Sequence, residues 1–112
     1  MKIKDLIEQL DLKVFTQKGD TDREITGGYT SDLLSDVMGH VDEGMVWITI
    51  QTHPNILAVA SLKELAAVLI VNGAVPGEET VEKGNSEEIL LLGTSLSAFE
   101  ISGKIYRLLQ GV

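Results

Sequence analysis

Ala67-Val68-Leu69-Ile70-Val71, closed by Asn72-Gly73, is apolar at every position. A strand with one wet face alternates apolar and polar residues, whereas a parallel strand covered on both faces has no need to, so this run predicts a buried parallel strand. Met45-Val46-Trp47-Ile48-Thr49-Ile50 before it and Glu88-Ile89-Leu90-Leu91-Leu92 after it carry the same signature. Each run leads through a polar turn into a helical pattern. Pro54 fits the first turn of a helix through Ile56, Leu57, Val59, Ala60 and Leu62. A polar helix or turn of helix spans Glu78 to Lys83, and a last helix runs from about Ser97 to Leu109, with Phe99, Ile101, Ile105, Tyr106, Leu108 and Leu109 as its apolar positions and Gly111 after it. Three successive strand–turn–helix units predict an α/β fold: a three-layer domain with a mainly parallel sheet flanked by helices and right-handed crossovers.

Upstream of that region, Ile3, Leu6, Ile7 and Leu10 recur at helical spacing and predict an amphipathic first helix. Leu12 to Thr16 reads as a short strand ended by the turn Gln17-Lys18-Gly19-Asp20. A second strand is expected from Glu24 to Tyr29, with Gly27-Gly28 ending or kinking it. Ser31 or Asp32 is the expected N-cap of a helix through Leu33, Leu34, Val37 and Met38, which Gly39 should stop. No linker, repeat or low-complexity stretch interrupts the chain, so residues 1–112 read as one domain. At this length folding hides roughly two-thirds of the surface the unfolded chain exposes. With two Phe, two Tyr and one Trp, the core has to be built from Leu, Ile, Val and Ala.

Composition removes several classes of function. There is no cysteine, hence no disulfide, no thiolate metal site and no thiol catalysis, and a reducing, cytoplasmic interior is the expected compartment. No apolar stretch approaches the ~20 residues that span a bilayer. Nine basic against seventeen acidic residues leave a formal charge of −8, so the term that drives non-specific nucleic-acid binding is repulsive here. The Asp and Glu residues lack EF-hand spacing, and neither His40 nor His53 has a second histidine near it, so neither a metal nor a cofactor is expected.

In open parallel sheets ligands gather beyond the carboxyl ends of the strands, where helix N-termini aim free amides. Those ends carry Gln51, Thr52 and His53, then Asn72 and Gly73, then Thr94 and Ser95. Strand ends are also polar simply because turns are polar, and that plainer reading competes with a ligand rim. Ser31, Asp32 and His53 hold the residue types of a hydrolytic triad, but no glycine-flanked nucleophile elbow accompanies them. No G-x-x-x-x-G-K-[ST] loop is present to cradle a triphosphate. Gly27 and Gly28 offer a weaker anion-binding turn, against the ordinary use of glycine for positive φ or close packing. Asp22 and Arg23 are expected to form a local ion pair that holds their loop.

Asp22-Arg23-Glu24-Ile25-Thr26-Gly27-Gly28, followed by Tyr29-Thr30-Ser31-Asp32, resembles the stretch that gives the DRTGG domain family its name. Ala67 to Gly73 and Ile89 to Thr94 are similar to that family's two buried strands. The resemblance implies a likeness to the N-terminal domain of HPr kinase/phosphorylase and to domains attached to phosphotransacetylases and regulatory pyrophosphatases, where catalysis lies in other domains. It implies a free-standing, self-associating regulatory module whose partner is an enzyme or redox complex. The expected function is therefore non-catalytic: a homodimer that docks on or regulates a metabolic or signalling enzyme. The alternative is a sensor of a small anion or nucleotide, using the strand-end rim.

Overall fold

The computed structural model describes residues 1–111. In chain order the elements are α1 (Ile3–Leu10), β1 (Lys13–Val14), β2 (Gly27–Thr30), α2 (Leu34–His40), β3 (Met45–Thr49), α3 (Asn55–Leu62), β4 (Ala67–Ile70), α4 (Glu78–Ser86), β5 (Leu91–Gly93) and α5 (Ala98–Gln110). The sheet order is β1-β5-β4-β3-β2. β2 through β5 are parallel, and only β1 runs against its neighbour, with Lys13 opposite Gly93.

The three apolar runs work as expected of strands buried on both sides, because successive side chains point to opposite faces. Val46, Ile48, Ala67, Leu69, Val71, Leu90 and Leu92 pack on one face with Ile3 and Leu6 of α1 and Ile101 and Ile105 of α5. Trp47, Val68, Ile70 and Leu91 pack on the other with Val37 of α2 and Ile56, Leu57, Val59 and Ala60 of α3. The result is three layers, with α1 and α5 on one side of the sheet.

Several boundaries differ from those the sequence suggests. The stretch from Glu24 to Tyr29 is not one strand. The Ile25 amide donates to the Met1 carbonyl and the Ile3 amide to the Arg23 carbonyl, while Gly27–Thr30 pair instead with Met45–Ile48. Gly27 and Gly28 thus begin a strand and do not end one. Neither has positive φ, and a Cβ on either would meet only ordinary contacts. Neither Ser31 nor Asp32 is the N-cap of α2. Leu33 holds that position without a side-chain cap, because both polar side chains are engaged elsewhere. Gly39 does not stop α2, which continues to His40. β5 starts later than Glu88, since Glu88 takes a left-handed φ of 55° and the Ile89 amide closes the end of α4 on the Gly84 carbonyl.

Candidate functional site

Parallel pairing of β2 to β5 places their carboxyl ends along one edge of the sheet. At the β2–β3 end of that edge, Asp32 is the hub. Its Oδ1 accepts from the Thr49 hydroxyl at 2.8 Å and the Ile50 amide at 2.9 Å, and its backbone carbonyl accepts from the Gln51 side-chain amide at 2.9 Å. The Ser31 hydroxyl accepts from the Leu33 amide, and the Ser31 carbonyl accepts from the buried Trp47 indole at 2.8 Å. The Thr52 carbonyl accepts from the hydroxyl of Thr80, which is buried in the first turn of α4. His53 Nδ1 accepts from the Asn55 amide and so serves the start of α3. These polar groups bond to one another and to the ends of the elements they join, which is what a fastened rim looks like.

At the other end of the edge, the chain leaving β4 goes to α4 on one face while the chain leaving β5 goes to α5 on the opposite face. Divergence of two neighbouring connections opens a crevice. A cleft of about 200 Å³ lies there, lined by Gly73, Thr94 and Ser95 together with Asp11, Lys13, Phe15, Ala74, Val75 and Gly93. Its floor depends on Gly93, where an added Cβ would sit 2.5 Å from the Phe15 ring. Asn72 and Gly73, both at positive φ, turn the chain so that their amides donate to the Leu96 and Thr94 carbonyls at 2.9 Å. Lys13 Nζ stands 5.8 Å from the centre of the Phe15 ring. Asp11 supplies the opposite charge, so the cleft is nearly neutral.

Of the residues singled out from sequence, Gly73, Thr94 and Ser95 meet at this cleft and Asn72 adjoins it. Ser31, Asp32, Gln51, Thr52 and His53 lie at the β2–β3 end. Gly27 and Gly28 are at the amino end of β2, on the opposite edge of the sheet, beside Met1, Tyr106 and Leu109. Asp22 and Arg23 do not pair with each other. Asp22 meets Lys4 at 2.8 Å, while the Arg23 guanidinium donates to the carbonyls of Glu64 and Leu65. The hydrogen bond and charge of Lys4 hold the Asp22 carboxyl below its ordinary range, and the same contact raises Lys4. The pair is at the surface.

Sequence reasoning missed Lys13 and Phe15, which reach the cleft only because β1 pairs with β5. It also missed the cluster of Tyr29, Asp36 and His40. The Tyr29 hydroxyl donates to Asp36 at 2.9 Å, His40 lies 3.2 Å from the same carboxylate, and the two rings stack at 5.6 Å. Hydrogen bonding from the Ser31 and Tyr29 hydroxyls, with a smaller part from His40, lowers the Asp36 carboxyl. Spacing of four between Asp36 and His40 was the available signal. Among the described residues no group of three His, Asp or Glu side chains is placed to hold a metal ion, and no helix is long and apolar enough to cross a membrane.

No family model and no curated protein matches the chain. Among solved structures it is similar to the CBS and DRTGG domains of the regulatory region of Clostridium perfringens pyrophosphatase, solved with its activator, diadenosine tetraphosphate. The TM-score is 0.67 at 14% identity, over 91% of this chain. The chain spans 44% of that structure's length. The fold is therefore a DRTGG-like one, as the motif around Asp22 to Gly28 implies.

Proposed function

We propose that the chain is a non-catalytic regulatory module that acts by binding, both to a second copy of itself and to a metabolic or signalling enzyme. The observation that carries this is the outer face of α5, where Phe99 is 89% and Tyr106 67% exposed. Two large side chains exposed along one helix face form the kind of apolar patch that another molecule can cover. The fastened rim supports the same reading, since a ligand there would have to displace bonds the fold already uses. So does the setting of the fold in a regulatory region of the similar pyrophosphatase. Sedimentation at micromolar concentration is expected to give about twice the 12.1 kDa chain mass. A monomer across a hundredfold concentration range would count against self-association.

A second reading, a small-molecule sensor, is favoured by one observation: the cleft beside Lys13 and Gly73 at the divergence of the β4 and β5 connections. Its volume of about 200 Å³ falls short of the roughly 300–1,000 Å³ usual for ligand pockets, so this cleft by itself has room for one anionic group or one ring, not a dinucleotide. Thermal shift with diadenosine tetraphosphate, ATP and inorganic phosphate tests it. A rise in midpoint that Lys13→Glu abolishes supports a sensor, and no rise at millimolar ligand rejects it.

A further inference from the structure

We infer that two copies of this chain meet through the outer face of α5, antiparallel, across a two-fold axis at Gly103. This inference names the surface for the self-association proposed above and rests on that reading. Phe99, Gly103, Tyr106 and Gln110 follow one another at intervals of four, three and four residues, which puts them on a single stripe of the helix. Ile101 and Ile105 occupy the opposite side and are buried.

Gly103 is the residue that demands an explanation. It sits in the middle of a 13-residue helix, does not have positive φ, and a Cβ placed on it would meet nothing within 4 Å. Glycine is among the poorest residues for a helix interior, and nothing in the chain's own packing requires one at this position. A missing side chain at the centre of an exposed stripe lets another backbone come close. The exposed Phe99 and Tyr106 on either side of it would then close over the contact.

The charges indicate which partner fits. Glu100 and Arg107 flank the stripe on the same side, three residues before Gly103 and four after it. When two such helices cross antiparallel at Gly103, Glu100 of each copy lies against Arg107 of the other, and Phe99 lies beside Tyr106. Opposite charges at opposite ends of one face make that face self-complementary, as a contact between identical surfaces requires. The contact to be stabilised is between chains of charge −8, so the two reciprocal ion pairs also set the register against overall repulsion.

Sedimentation velocity on four samples tests this, with circular dichroism to verify that each is folded. The parent chain is expected to dimerise. Glu100→Arg and Arg107→Glu each place like charges in contact and are expected to weaken the dimer by on the order of tenfold or more. An equimolar mixture of the two variants restores both pairs in a heterodimer and is expected to recover the dimer mass. Gly103→Leu, folded but with the centre of the face blocked, is expected to be monomeric. If the parent dimerises and the single charge variants dimerise equally well, the α5 face is wrong while self-association stands. If the parent is a monomer throughout, both fall.

Discussion

The carboxyl-end rim and the outer face of α5 are both surfaces of the same small sheet domain, yet they spend their side chains differently. In the rim, Asp32 accepts from the Thr49 hydroxyl, the Ile50 amide and the Gln51 side chain, and Thr80 donates to the Thr52 carbonyl, bonds that hold β2, β3 and α4 in place. On α5, Phe99 and Tyr106 are largely open to solvent, and a Cβ on Gly103 would meet nothing. Polarity at the strand ends thus accompanies bonds internal to the fold, whereas the outer face of α5 leaves large side chains open to solvent. The difference predicts that the rim controls stability with no effect on association, and that the outer face of α5 controls association.

The largest effect is expected at the hub. Asp32→Ala removes the acceptor for the Thr49 hydroxyl and the Ile50 amide, and Thr49 is buried, so unfolding in urea should show a loss of about 2 kcal/mol with no change in sedimentation mass. Thr80→Val leaves the Thr52 carbonyl without its donor and is expected to cost about 1–2 kcal/mol in the same measurement. Loss of dimer in either variant, while it stays folded, would mean that the two surfaces are not independent.

Gly103→Ala runs the other way. At protein concentrations low enough to populate only monomer, the better helix former should raise stability by roughly 0.5–1 kcal/mol. The same substitution fills the point of closest approach, so the dimer should weaken even as the monomer gains. A destabilised monomer would show that Gly103 serves the fold after all.

The smallest effect concerns pH. The Asp36 carboxyl is lowered in the folded chain by the Ser31 and Tyr29 hydroxyls and by His40. A lowered carboxyl contributes stability that is present above its unfolded value and is lost as pH falls through its folded value. The parent should therefore lose slightly more stability than Asp36→Asn as the solution is taken below the ordinary carboxylate range. Chemical denaturation of both chains across that acid window checks it, and parallel curves would remove Asp36 from the account.

The fold was readable wherever a short segment carries the whole pattern. Ala67 to Val71 announces a strand buried on both faces by itself, and the helix from Ala98 follows from its own apolar spacing. Two sorts of feature could not be read. One is the competition for a side chain: Ser31 and Asp32 look like N-caps, but Ser31 is taken by the Leu33 amide and Asp32 by Thr49 and Ile50, which pairing of β2 with β3 brings beside it. The other is the far partner. Nothing in the spacing of Lys13 and Phe15 says that they will meet Gly93 and Gly73, because an antiparallel edge strand can in principle join either side of a sheet. For the same reason the Asp22-Arg23 pair misled, since Asp22 pairs with Lys4 and Arg23 with Glu43 and the carbonyls of Glu64 and Leu65, and only the closed fold brings them within reach.

The pairing of β1 with β5 also sets an order of events during synthesis. β2, β3 and β4 can each join a neighbour that has only just been made. The α1–β1 segment precedes the rest of this sheet in the chain and has to wait for nearly its last strand, since Val14 needs Leu92 and the buried hydroxyl of Thr16 needs the backbone of Ile89 and Leu91. Contacts this distant along the chain are slow to close. Until they do, the part of the core formed by Leu90 and Leu92 is missing, and a nascent chain stalled before Leu90 would leave Ile3 and Leu6 only partly covered by Val46, Ile48, Ala67 and Leu69.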